Sequence, residues 1–116
     1  MFTRLLAGLL LAVTSFTLAA SAETVTCSYY SAKFDGRRTA SGQRFSSNAL
    51  TAAHRTLPLG TRVKLTNPKN HHSVIVKVND RGPYIKGRDI SVTRRAAKQL
   101  GFLGKGVAQL DMETLK

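Results

Sequence analysis

The side chains able to do chemistry concentrate in two stretches of the chain. The first is Thr39-Ala-Ser-Gly-Gln43, continuing through Ser46 and Asn48 to Ala49-Leu-Thr-Ala-Ala-His54-Arg-Thr-Leu-Pro58-Leu-Gly60; the second is Asn79-Asp80-Arg81-Gly82-Pro83. Between them they hold an Asp, a His and an Arg among turn-forming residues. A carboxylate in a partly desolvated groove can give and recover a proton, and a histidine does so near neutral pH. Arg81 stands beside Asp80, either to hold that carboxylate in its charged form or to clamp a substrate oxygen. Asp80 has a second reading, because an Asp at a strand end before Arg-Gly-Pro also bonds backbone N–H groups and holds the turn. His54 likewise faces either a groove or the core. Asp89 and Asp35 are weaker acid candidates. Three His residues with no second Cys or clustered carboxylate form no recognisable metal pattern, and no cofactor is expected.

These residues need short strands and tight turns to hold them. Val25, Cys27 and Tyr29 alternate with Thr26 and Ser28 as a first strand. Thr61-Arg-Val63-Lys-Leu65-Thr alternates with Val63 and Leu65 inward. The turn Asn67-Pro68-Lys-Asn70 joins it to Ser73-Val74-Ile75-Val76-Lys77-Val78 as a hairpin. His71 and His72 fall in that turn and are solvated. Thr93 caps a short helix that ends at Gly101, and Ala108, Leu110 and Met112 mark a half-buried last strand. A second helical turn is expected around Asn48–Ala53. So short a mainly β chain, with few edges to spare, points to a small closed barrel with one or two short helices.

Residues 1–22 read as an export signal: Arg4, an apolar run from Leu5 to Val13, and Ala20-Ser21-Ala22 as the cleavage pattern. The run is too short for a membrane span. The expected mature chain is one domain, residues 23–116, exported to the periplasm or cell exterior and monomeric. Cys27 is the only cysteine, so no internal disulfide can form; Thr26 before it does not suit lipid attachment, and a buried place on a strand is expected. The 18 Lys and Arg against 6 Asp and Glu give a formal charge of +12, or +11 without Arg4. In an exported protein such a surface attracts anionic envelope polymers, or serves solubility alone. No arginine-rich arm, zinc pattern or aromatic-interleaved basic stretch supports nucleic-acid binding.

Tyr29-Tyr30, Asp35-Gly-Arg-Arg-Thr39-Ala-Ser-Gly, Ala49 through Val63, Val78-Asn-Asp80-Arg-Gly-Pro83-Tyr84 and the Ala96-Ala97…Leu100-Gly101 helix resemble the rare lipoprotein A family over about residues 27–113. The resemblance implies a six-stranded double-psi β-barrel, related to barwin-like proteins and expansins. It also implies action on peptidoglycan glycan strands as an endolytic lytic transglycosylase, an enzyme class in which the sugar's own hydroxyl closes onto the anomeric carbon, so that one acid/base group can suffice. The family's Glu, Asp and His fall on Gln43, Ser46 and His54, and a further acidic position falls on Ser91. Only the His is kept. Two readings follow: a transglycosylase using Asp80 with His54, or a non-catalytic glycan-binding or wall-organising module. In either, Gln43, Ser46, Thr39, Asn48 and Arg81 would bond sugar hydroxyls. Tyr30 and Tyr84 would stack on sugar rings, or else fill a barrel end.

Overall fold

The computed structural model describes residues 22–116. The export signal expected over residues 1–22 lies, but for Ala22, outside them. Six strands close into a barrel: β1 (Glu23–Tyr29), β2 (Thr51–His54), β3 (Arg62–Thr66), β4 (Ser73–Asp80), β5 (Ile90–Val92) and β6 (Val107–Thr114). Around the barrel they run β1-β5-β2-β4-β3-β6. Two pairs are parallel, β1 with β5 and β2 with β4, and the other four are antiparallel. This is the small closed barrel expected from the strand pattern, with the six strands of the double-psi barrel that the family resemblance implies. Closure leaves no strand with an unpaired edge.

The hairpin forms as its alternation dictates. β3 pairs antiparallel with β4, Val63 opposite Val76 and Leu65 opposite Val74, and all four side chains lie in the core with Val25, Cys27, Ile90, Val92, Leu110 and Met112. One α-helix, α1 (Arg94–Leu100), covers part of the barrel. The Thr93 side chain accepts from the Ala96 amide at its start, and Gly101 adopts the left-handed conformation at its end. Ala96, Ala97 and Leu100 are its buried face. Cys27 is buried on β1, and burial pushes its thiol well above the ordinary range.

The second helical turn expected at Asn48–Ala53 does not form. Thr51–His54 is β2, paired in parallel with β4 and antiparallel with β5. Alanine favours helix by only tenths of a kcal/mol per residue, roughly, so pairing on both sides overrides it. The short second helix is instead a 3-10 turn, Ala32–Phe34, whose first amides are capped by the Ser31 hydroxyl through Lys33.

One irregularity decides where Asp80 points. Val74, Val76 and Val78 alternate inward along β4, and continuing that phase would send Asp80 inward too. Between β2 and β4, however, Ala52 pairs with Val78 and Ala53 with Asp80, so Asn79 is an extra residue. Such a bulge shifts the alternation by one, and Asp80 joins Ala53 on the outer face.

Candidate functional site

The outer face of the barrel carries a transverse row of four residues. Ser28 on β1 is in register with Ser91 on β5, Ser91 with Ala53 on β2, and Ala53 with Asp80 on β4. Their chain neighbours Cys27, Ile90 and Ala52 face the core, so alternation turns the first three outward. Ser28, Ser91 and Ala53 form the floor of a groove of about 300 Å3. Tyr30 and Phe34 stand on one side, and Arg81, the Gly82-Pro83-Tyr84-Ile85 segment and Arg88 on the other.

Asp80 closes the row with both carboxylate oxygens engaged. Oδ1 accepts from the Ala40 amide at 2.9 Å and from the Arg81 amide at 2.9 Å, and Oδ2 accepts from the Tyr30 hydroxyl at 3.0 Å. Tyr30 is half-buried, its ring 4.6 Å from that of Phe45 and edge-on to Phe34. Burial first, then the charge of Asp80 and the hydrogen bond to it, push the phenol far above its ordinary range, so it stays a neutral donor. Its packed ring leaves the hydroxyl edge as the functional end. Tyr84 differs: at 78% exposure it fills no barrel end, and its ring is free beside the groove.

The Thr39–Gln43 loop reaches Asp80 at Oδ1, the oxygen that Tyr30 does not bond. The Ser41 amide donates to the Asn79 carbonyl, and the Asn79 side-chain amide donates to Gln43 Oε1 at 3.3 Å. Thr39 is buried, and its hydroxyl donates to the Gln43 carbonyl, which makes it a brace of the loop. Gln43 opens on a separate hollow with Leu59, Gly60 and Lys77. Ser46 and Asn48 stand apart from both. The Ser46 hydroxyl accepts the Asn48 amide, and Asn48 borders a third hollow beside Arg94, Arg95 and Lys98 of α1.

His54 and Asp80 do not face each other. Ala53 is the register partner of Asp80, and His54, one residue on, takes the other face of β2. The Nδ1 of His54 accepts from the amides of Thr56 at 3.2 Å and Leu57 at 3.1 Å, which fixes the neutral imidazole with its proton on Nε2. Burial and then the Arg55 charge hold its pKa below 6.5; Glu23 and Asp89 oppose them and Arg81 adds to them. His54 is joined to the groove through Arg81 instead. One guanidinium nitrogen of Arg81 donates to the carbonyls of His54 and Leu57, at 3.1 and 2.7 Å. Arg81 therefore forms no ion pair with Asp80; it ties the 54–57 turn to the end of β4.

The other two aspartates serve as staples. Asp35 accepts both the amide and the hydroxyl of Ser47. Asp89 accepts the Thr26 amide at 2.8 Å and pairs with Arg55 at 3.6 Å. Side chains more than 40% exposed make that pair worth no more than about 1 kcal/mol, and its use is positional. Arg55 also donates to the carbonyls of Pro83 and Arg88, clipping both ends of the segment that carries Tyr84. Sequence reasoning passed over Ser28, Arg55 and Arg88. Ser28 was readable from the β1 alternation, whereas the arginines carry no local signal. Among the described residues no three His, Cys, Asp or Glu side chains gather as a metal site, and no helix is long and apolar enough to cross a membrane.

Residues 22–112 match the family model described as lytic transglycolase. The chain is 49% identical over 89 residues to the endolytic peptidoglycan transglycosylase RlpA of Pasteurella multocida, an alignment covering 77% of this chain and 30% of that protein. The chain spans about a third of the length of the curated relatives it matches. Among solved structures, the Streptomyces papain inhibitor superposes with a TM-score of 0.65 at 20% identity, over 82% of this chain and 94% of that one. A mutant Clavibacter michiganensis expansin in complex with cellohexaose gives 0.64 at 17%, over 81% and 51%. At such identities these structures speak for the fold alone.

Proposed function

This chain belongs to the lytic transglycolase family, and from that premise we propose that it acts on peptidoglycan glycan strands as an endolytic lytic transglycosylase, with the strand lying in the groove beside Asp80. The observation that carries the reading is the Tyr30–Asp80 pair at the end of the groove floor: Asp80 is the one carboxylate of the floor row, and it touches a groove wall. The relative from Pasteurella multocida bears the activity in its name, and the exported chain would meet this substrate in the periplasm or at the cell exterior.

In this reading Asp80, protonated, gives its proton to the departing glycosidic oxygen. It then takes the proton of the sugar hydroxyl that closes onto the anomeric carbon. One group thus serves as acid and then base, and no second carboxylate is needed. The Tyr30 hydroxyl is suited to follow the change: it donates to the charged carboxylate and, by rotating, accepts from the protonated one. The exposed Tyr84 ring offers a face to a sugar, and Gln43 a side-chain amide to its hydroxyls. His54 acts as a positioning residue, shaping the turn that holds Arg81.

A second reading, a non-catalytic glycan-binding or wall-organising module, is favoured by the two backbone amides that Asp80 accepts, which give it a turn-holding task. It is favoured too by neutral Gln43, Ser46 and Ser91 where the family resemblance implies acids. Incubating residues 23–116 with purified sacculi, intact and amidase-stripped, separates the two. Anhydro-muramyl fragments in the soluble fraction, read by mass spectrometry, are the expected result. Sacculus binding without such fragments would overturn the enzyme reading and leave the binding module.

A further inference from the structure

The groove floor holds two hydroxyls that the fold leaves unused. Ser28 is 5% exposed and Ser91 7% exposed, and neither hydroxyl has a hydrogen-bond partner among the described residues. A buried polar group without a partner costs about 1–3 kcal/mol, so it calls for an explanation. Register places the two side by side on adjacent strands, roughly 4.8 Å apart in the direction across the sheet. Both line the groove, and Arg88 lines it with them. Arg88 is half-buried as a residue, and its guanidinium makes neither an ion pair nor a hydrogen bond among the described residues; only its backbone is engaged, by Arg55 and Ile85. The clip made by Arg55 holds that backbone beside the floor.

The uncommitted groups therefore number two hydroxyls, which can donate or accept, and a guanidinium, which only donates and carries a full positive charge. The hydroxyls would serve a sugar or a carboxylate alike, but the unpaired charge of the guanidinium favours a carboxylate, to which all three can donate. Other charges on the groove agree. Lys33 and Arg37 each lie 5.5 Å from the centre of the Phe34 ring on the wall, and Arg81 commits one nitrogen to backbone carbonyls, leaving the rest of its fork. Of the two opposing charges, Asp89, next in the chain to Arg88, is held by the Thr26 amide and Arg55, and Asp80 is turned to Ala40, Arg81 and Tyr30. Asp80 stands two strands from Ser91, about 10 Å away.

We propose that Ser28, Ser91 and Arg88 form a carboxylate-binding subsite on the groove floor, which seats an acidic sugar of the strand. The proposal rests on the reading of the groove as a glycan site. The carboxylate has two sources in the wall: the lactyl group of a muramyl residue without its stem peptide, or the stem peptide itself. The floor, recessed between Tyr30 and the Tyr84 segment, suits the lactyl group held close to its sugar ring.

The test is calorimetric titration of the protein with three probes of equal glycan length: a muramyl oligosaccharide with free lactyl carboxylates, the same compound with those groups converted to amides, and the peptide-bearing form. The free-lactyl probe is expected to bind at least about tenfold more tightly than its amide, the worth of one good charge-assisted contact set. That margin is expected to disappear in Ser91→Ala, Arg88→Gln and Ser91→Asp, the last of which supplies the protein's own carboxylate to the subsite. Lys98→Gln on α1, an equal loss of charge outside the groove, is expected to keep it, which separates a built subsite from the general attraction of a basic surface. Circular dichroism confirms that each variant is folded. Equal affinity for acid and amide overturns the subsite while leaving the glycan reading standing; tighter binding of the peptide-bearing form also overturns it, as does a margin that survives Arg88→Gln. Binding of none of the probes overturns the subsite and the glycan reading together.

Discussion

Asp80→Asn separates the turn-holding that Asp80 performs from the proton transfer proposed for it, because Asn keeps the shape and loses the proton chemistry. The Asn oxygen still accepts the amides of Ala40 and Arg81, which lie 2.9 Å from Oδ1. Its NH2 group replaces Oδ2, and the Tyr30 hydroxyl, now 3.0 Å from a donor, turns to accept. All three contacts survive in neutral form. A charge-assisted bond exceeds a neutral one by about 1 kcal/mol, and for a half-exposed group a fraction of that applies, so the variant is expected to lose about 1–2 kcal/mol in all. In a domain of this size that is a fall in Tm of roughly 4–16 °C, well inside the usual 5–15 kcal/mol of stability. Removal of a general acid/base costs roughly 10²–10⁴ in rate. The assay is anhydro-muramyl release from amidase-stripped sacculi, run below the Tm of the variant, with urea unfolding and sacculus pull-down on the same preparation. The expected result is a folded protein that still binds sacculi and releases at least about a hundredfold less product. Product within a few-fold of wild type would refute Asp80 as the proton-transfer group and return it to turn-holding alone.

His54 should make the 54–57 turn sensitive to acid. Its pKa is held below the ordinary 6.5 by burial and by Arg55, so the unfolded chain takes up the proton first. The contribution is therefore complete above pH 6.5 and lost as pH falls through the lowered value. The stability difference between wild type and His54→Ala is expected to shrink from pH 7.5 to 5, with faster amide exchange at Thr56 and Leu57; a difference that grows on acidification would contradict the Nδ1 assignment. Gly101→Ala should destabilise by about 2–3 kcal/mol in urea unfolding, combining a left-handed residue with a lost hydrogen bond: φ is +81°, and the added Cβ would meet Asn70 Nδ2, which donates to the Leu100 carbonyl. A loss under about 0.5 kcal/mol would show that Asn70 gives way freely.

Elements with a complete local signal could be read from the sequence. The β3–β4 hairpin alternates without fault on both sides of a Pro-containing turn, and α1 carries a Thr cap and a Gly stop. β2 and β5 could not be read. Ile90–Val92 is three residues long, and Thr51-Ala-Ala-His54 has the composition of a helix; each is a strand only because neighbours pair on both sides. The same divide runs through the site. Asp80 and Tyr84 could be picked out by residue type at a Gly-Pro turn and Tyr30 by type alone, and the structure brings both tyrosines to one groove with Asp80 bonded to its wall. Ser28 and Arg88 are ordinary in type, and only the barrel gathers them.

The pairing of His54 with Asp80 fails for a physical reason that no residue list contains. Both close a strand, and continuing the clean alternation of β4 would turn Asp80 inward, to the face of the barrel that His54 takes on β2. The bulge at Asn79 moves Asp80 to the outer face with Ala53, and the next residue on β2 must then point away. A single extra residue in β4 thereby exchanges the partner of Asp80 from an imidazole to a phenol, the Tyr30 hydroxyl. It also sets the carboxylate at the end of a floor whose other members are serine, serine and alanine. In the proposed reading, proton transfer in this groove therefore rests on one acid and the hydroxyl beside it, and not on an Asp–His couple.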